Sequence, residues 1–145
     1  MNPSKPLSPD LEQLARSWLR YATEKAADAR DSWFDAAMLA EHEPEKAWEL
    51  TEELIKRVPD QLLDHVSANI LERILEHHAV QFVDRVEARA KEDPRFRECL
   101  STVWLVDDYA PPAVLERINA ATGNRLDIIP RMELDRMERE DVRGA

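Results

Sequence analysis

Apolar side chains recur along this chain at intervals of three and four residues, the spacing that gathers them on one flank of an α-helix. Leu11, Leu14, Ala15, Trp18 and Ala22 trace the first stripe, opened by Ser8 as a cap and Pro9 in the first turn. Asp10 and Glu12 follow where the helix dipole favours negative charge. Glu24 to Arg30 holds few large apolar residues and reads as a fraying end or a connection. Ser32, with Asp35 three residues on, resembles a capping box for a second helix carrying Trp33, Phe34, Ala37 and Met38. The third helix has the clearest pattern. Glu43-Pro44 opens it, Ala47, Trp48, Thr51, Leu54, Ile55 and Val58 form its apolar face, and Pro59 ends it.

Beyond Pro59 comes a short segment to Val66, then Ser67-Ala68-Asn69, which reads as a break. Asn69 and Glu72 fit a capping box, and Ile70, Leu71, Ile74 and Leu75 supply a new apolar face. One continuous helix from 60 to 77 is also compatible with these residues. His77-His78 marks a junction, after which Val80, Val83, Val86 and Ala90 continue the helical spacing, with Phe82 beside the stripe. Asp93-Pro94 repeats the acid–proline opening ahead of Phe96, Leu100, Val103 and Trp104. Pro111-Pro112 precedes a last helix with Val114, Leu115, Ile118 and Ala121, which Gly123 is placed to stop. Leu126, Ile128 and Ile129 suggest a short extended segment docked on the body, followed by a frayed helix or disorder.

The expected fold is therefore all-α, either a compact antiparallel helical bundle or a short HEAT-like helical-hairpin stack. No strict repeat supports the second arrangement over the first. The expected organisation is a flexible lead-in over 1–8, a single helical domain over 9–123, and a charged C-terminal tail, partly docked, over 124–145. Composition agrees. A chain of 145 residues buries roughly 70% of its unfolded surface. Two glycines cannot supply the turns of a many-stranded sheet, nor a phosphate cradle of backbone amides.

Acids outnumber bases by 30 to 20, for a formal charge of −10, and this field repels nucleic acid and anionic membranes. No stretch reaches the roughly 20 apolar residues that span a bilayer. With Cys99 as the one cysteine, no internal disulfide forms, and a cytoplasmic setting is expected.

Candidate chemistry is sparse. Glu76, His77 and His78, with Asp84 nearby, offer imidazole and carboxylate together, the ingredients of a metal site or of acid–base catalysis. Adjacent helical residues point about 100° apart, so the two histidines do not share a face, and His-Glu-x-x-His is absent. Glu41-His42-Glu43 reads as charge complementing a helix start, and Cys99 as packing. The basic patch of Arg85, Arg89, Arg95 and Arg97 is interleaved with acids, as in a salt-bridged face. Trp18, Trp33, Trp48 and Trp104 read chiefly as core. Trp33 beside Phe34 is the best candidate for exposure, because consecutive residues cannot both face one core.

From Glu43 to Trp104 the chain resembles a family of small bacterial proteins known only as a domain of unknown function. The resemblance rests on Glu43-Pro44-Glu45-Lys46-Ala47-Trp48, on Ile70-Leu71-Glu72-Arg73-Ile74-Leu75, and on Asp93-Pro94-Arg95-Phe96-Arg97 through Val103-Trp104. The family's segment before Ile70 tends to contain glycine and proline, where this chain has Ser67-Ala68-Asn69. The resemblance implies no activity and no site residues. It supports a break near Asn69 and draws notice to Glu72, as a cap or as a buried contact.

The expectation is a small acidic module that binds another protein, such as an immunity or inhibitor protein against a basic partner, and not an enzyme. Its candidate contact residues are Trp33, Phe34, Glu41, Glu49 and Glu53. Catalytic, cofactor and metal residues are expected to be none, and nucleic-acid and membrane partners likewise. Two alternatives stand beside it: a metal-dependent enzyme using Glu72, Glu76, His77, His78 and Asp84, or a structural domain dimerising through Trp33 and Phe34.

Overall fold

Helix-opening signals recur so closely along the chain that little of it is left for anything but helix and short connections. The computed structural model describes residues 6–144, with side chains through Asp141. Most of the expected lead-in, residues 1–5, therefore lies outside the described residues. The fold is all-α, with two short strands, and two compact units meet in sequence between Ile74 and Leu75.

In the first unit, α1 (Pro9–Glu24) starts as its sequence dictates, the Ser8 hydroxyl accepting from the Leu11 amide at 3.4 Å. Leu11, Ala15, Trp18 and Ala22 are buried, whereas Leu14 is only half-buried. The helix ends at Lys25, a non-glycine residue in the left-handed region at φ 55°, and one 3₁₀ turn (Ala27–Ala29) leads on. α2 spans Asp31–His42, and the expected capping box at its start is not formed. Ser32 lies inside the first turn, and its hydroxyl donates to the Ala29 carbonyl at 2.6 Å, tying the helix back to the 3₁₀ turn. α3 (Pro44–Arg57) buries Ala47, Trp48, Leu50, Thr51, Leu54 and Ile55; Val58 then turns to extended geometry ahead of Pro59. The acid at its start does not cap it: Glu43 pairs with Lys46 at 3.0 Å. α1, α2 and α3 pack on one another pairwise.

The expected break near Asn69 takes another form. After a 3₁₀ turn (Asp60–Leu62) and α4 (Leu63–Val66), the chain passes through a π-helical segment, Ser67–Leu71, straight into α5 (Glu72–Glu92). The Glu72 amide donates to the Ser67 carbonyl five residues back, so the helix widens instead of stopping. Asn69 is inside the helical run and not a cap; its side chain is engaged elsewhere, as described below.

In the second unit, α5 continues through a kink at His78, whose φ of −140° and ψ of 25° are non-helical, which places the expected junction. After the kink the buried face is centred on Phe82 and Val86. Ala79, Phe82, Val83, Val86 and Ala90 are buried, while Val80, expected on the stripe, is 63% exposed. α6 (Pro94–Leu100) opens on Asp93, whose carboxylate accepts from the Arg95 amide at 3.0 Å and from Arg89 at 3.2 Å. Because α6 ends at Leu100, helical spacing no longer applies at 104, and Trp104 is 49% exposed while Phe96, Leu100 and Val103 are buried. β1 (Leu105–Val106) pairs in parallel with β2 (Ile128–Ile129), across α7 (Pro112–Ala121). α7 stops at Thr122-Gly123-Asn124, where Gly123 and Asn124 both take positive φ. α8 (Arg131–Gly144) follows, its start held by the Arg131 amide on Asp107 at 3.1 Å and by a two-pronged Arg131–Asp108 pair. The arginine holds the Asp108 carboxyl below its usual range.

Candidate functional site

Trp33, from the start of α2, is the candidate contact residue with the most structure built around it. Its ring stacks parallel on the buried Trp18 of α1, with centroids 5.1 Å apart and planes 1° from coplanar. Tyr21 meets it edge-on at 5.5 Å, and His65 does so at 5.7 Å. The Lys25 ammonium lies 5.4 Å from the Tyr21 centroid and 6.0 Å from that of Trp33. Asn69 locks the cluster from the π segment, accepting from the Trp18 indole nitrogen at 2.8 Å and donating to the Trp33 carbonyl at 3.1 Å. Trp33 is thus half-buried, a wall of a cluster rather than a free side chain, whereas its neighbour Phe34 is 65% exposed. The expected exposure of Trp33 is not met: Trp18 and Asn69 hold it inward, and Phe34 turns out instead.

Sequence reasoning did not single out Tyr21, Lys25 or His65. Tyr21 stands three residues after Trp18, on the same helical face, and that was the one local signal available. Lys25 owes its place to a left-handed helix end, and His65 to a different helix.

The acidic candidates lie on the same unit. Glu41 pairs with Arg73 at 3.5 Å. Glu49 is exposed on α3, and Glu53 pairs with Arg57 at 3.0 Å. Glu49, Glu52 and Glu53 border a depression of about 370 Å³ whose apolar part comes from Pro6 and Leu7, with Lys56 as its basic member. A second depression, about 350 Å³, is rimmed by Asp10, Asp28, Asp31 and Asp35 over Leu14 and Ala29. Arg20 neutralises Asp28 with two hydrogen bonds, at 3.1 and 3.2 Å.

One ion network joins α1 to α3. Arg57 grips Glu12 with two hydrogen bonds, at 2.7 and 2.8 Å, and Arg16 adds a third at 3.1 Å. The Arg57 hydrogen bonds hold the Glu12 carboxyl at about 2, against an ordinary 4.5. A depressed carboxyl stabilises the fold above its unfolded pKa, and that contribution disappears as pH falls through the folded value. The unfolding midpoint is therefore expected to drop between pH 4.5 and 2 less steeply in Glu12→Gln than in the wild type. Above about pH 5 the two curves should run parallel, since the carboxyl is ionised in both states. Urea titrations at stepped pH measure this; identical slopes below pH 4.5 would dissociate the pair from stability.

In the second unit, the residues of the metal reading are brought only partly together. His77 and His78 have ring centroids 6.2 Å apart, tilted by 52°, and His77 approaches Glu76 at 3.8 Å. Asp84 is engaged by Arg117 at 2.6 Å, in a network that includes Glu87. The Arg117 hydrogen bond lowers the Glu87 pKa. Among the described residues, no group of three or more His, Cys, Asp or Glu side chains is arranged to hold a metal ion. No described helix is long and apolar enough to cross a membrane.

No curated protein and no solved structure matches the chain. Residues 21–126 do match a protein family, and the motifs running from Glu43 to Trp104 fall inside that match. The chain belongs to the family of unknown function DUF6869.

Proposed function

We propose that this chain is a small acidic protein-binding module, of the immunity or inhibitor kind, whose partner presents a basic surface. The observation that carries the reading is the pair of carboxylate-rimmed depressions on the first unit, at Glu49, Glu52 and Glu53 and at Asp10, Asp31 and Asp35. Each sets acids around a small apolar floor, the combination that seats the stem and charged head of a lysine or arginine. The formal charge of −10 adds a long-range field that steers a basic partner inward.

Steering by exposed charge is screened by salt, and this supplies the test. Retention of a partner from the native host should fall steeply between about 0.1 M and 1 M salt, as the Debye length shrinks from about 10 to 3 Å. Glu49→Lys should weaken retention several-fold at the lower salt, mostly through the on-rate, and change it little at the higher. Capture indifferent to salt and to Glu49→Lys would reject the reading.

The exposure of Phe34 favours a second reading, self-association through α2. A chain that stays monomeric by sedimentation at high concentration removes it.

A further inference from the structure

Tyr21, Trp33 and Lys25 form a corner whose composition is costly for a purely structural element. Lys25 takes a left-handed backbone at φ 55°, at the helix end where glycine is the usual occupant. Trp33 buries its indole nitrogen with no hydrogen-bond partner among the described residues, which a phenylalanine at the same place would avoid. Two unfavourable features in one corner point to a use for its geometry. That geometry suits a cation. The Tyr21 and Trp33 planes are 72° apart, and an ammonium between them meets the electron density of both. The Lys25 ammonium already occupies this place, 5.4 and 6.0 Å from the two centroids.

We infer that the Tyr21–Trp33 corner is a receiving site for an alkylammonium group, filled from within by Lys25 in the free chain, and that in a complex it takes a lysine side chain of the basic partner. Lys25 is exposed and its four-carbon stem is flexible, so its head swings into water without disturbing the fold. An incoming ammonium competes with this tethered one, and its apparent affinity is lowered by the fraction of time the corner is filled. Only the source of the lysine rests on the protein-binding reading; the cation chemistry of the corner stands apart from it.

The test uses the full chain and no protein partner. Tetramethylammonium chloride is titrated against tryptophan emission and against calorimetric heat, with sodium chloride at equal ionic strength as the blank. Lys25→Gly removes the internal competitor and leaves a residue suited to positive φ, so the variant keeps the fold. It should bind tetramethylammonium about fivefold more tightly than the wild type. A capped lysine should show the same ordering of variants. Adding Tyr21→Leu to Lys25→Gly should abolish saturation in both titrations while circular dichroism shows a folded chain; should that variant unfold, wild type against Lys25→Gly decides. Equal affinities in those two, or saturation that survives Tyr21→Leu, would overturn the site. Tetramethylammonium binding with an inert capped lysine would overturn the lysine assignment. A chain that captures a salt-sensitive partner yet fails here sinks this inference alone.

Discussion

Trp18→Ala is expected to lower the unfolding free energy of the first unit by about 3–5 kcal/mol, the cost of truncating a fully buried aromatic residue. Trp18 is wholly enclosed, and three separate losses follow from its removal. The ring gives up its apolar burial and leaves a cavity that neighbouring helices fill only in part. Trp33, stacked on it at 5.1 Å, loses the surface that orients it. Asn69, which accepts from the indole at 2.8 Å, keeps a half-buried carbonyl oxygen without that donor, a further cost of about 1–3 kcal/mol where no water replaces it. Natural domains hold about 5–15 kcal/mol in total, so the variant approaches the margin of folding. Urea unfolding followed by circular dichroism gives the number. A loss below about 1 kcal/mol, the range of ordinary surface changes, would mean that the Trp18–Trp33–Asn69 assembly does not organise the unit.

The same assembly marks where the sequence is readable and where it is not. Helix starts are local events, decided within a turn, and Ser8-Pro9, Glu43-Pro44 and Asp93-Pro94 each open a helix as expected, all three with a first-turn proline and the first and last also with a side-chain cap. Gly123, at φ 77°, likewise stops α7 for a reason confined to its own backbone. Ser32 and Asn69 carry the same kinds of cap signal, yet each spends its side chain otherwise. Ser32 bonds the preceding 3₁₀ turn, and Asn69 bridges two indole-bearing residues from α1 and α2. The partners of Asn69 lie 51 and 36 residues away, and nothing local reports them. The strand pair is similar: Ile128 and Ile129 read as extended, but their register against Leu105 and Val106 is a long-range fact. At the candidate site, adjacency pointed to Trp33 as the exposed residue, and the side chain that turns out is Phe34. The cation corner was not legible, because it needs a left-handed Lys25 and a stack that spans two helices.

In the second unit α5 buries Phe82 and exposes Val80, the reverse of their ranking by periodicity, and their substitution makes the sharpest contrast available. Phe82→Ala is expected to cost about 3–5 kcal/mol, since Phe82 is fully buried and an alanine there leaves an aromatic-sized cavity. Val80→Ala, two residues earlier on the same helix, should change stability by no more than about 0.5 kcal/mol, because that side chain is 63% exposed. Alanine's higher helix propensity offsets part of even that small loss. Both residues follow the kink, and at about 100° per residue they stand about 160° apart around the helix, so only one of them can face the core. Phe82 turns inward with Ala79, Val83 and Val86, and Val80 turns out. Paired denaturant titrations of the two variants therefore report which face of α5 meets the core. Comparable destabilisation by both substitutions would mean that the core does not lie on the Phe82 face of α5.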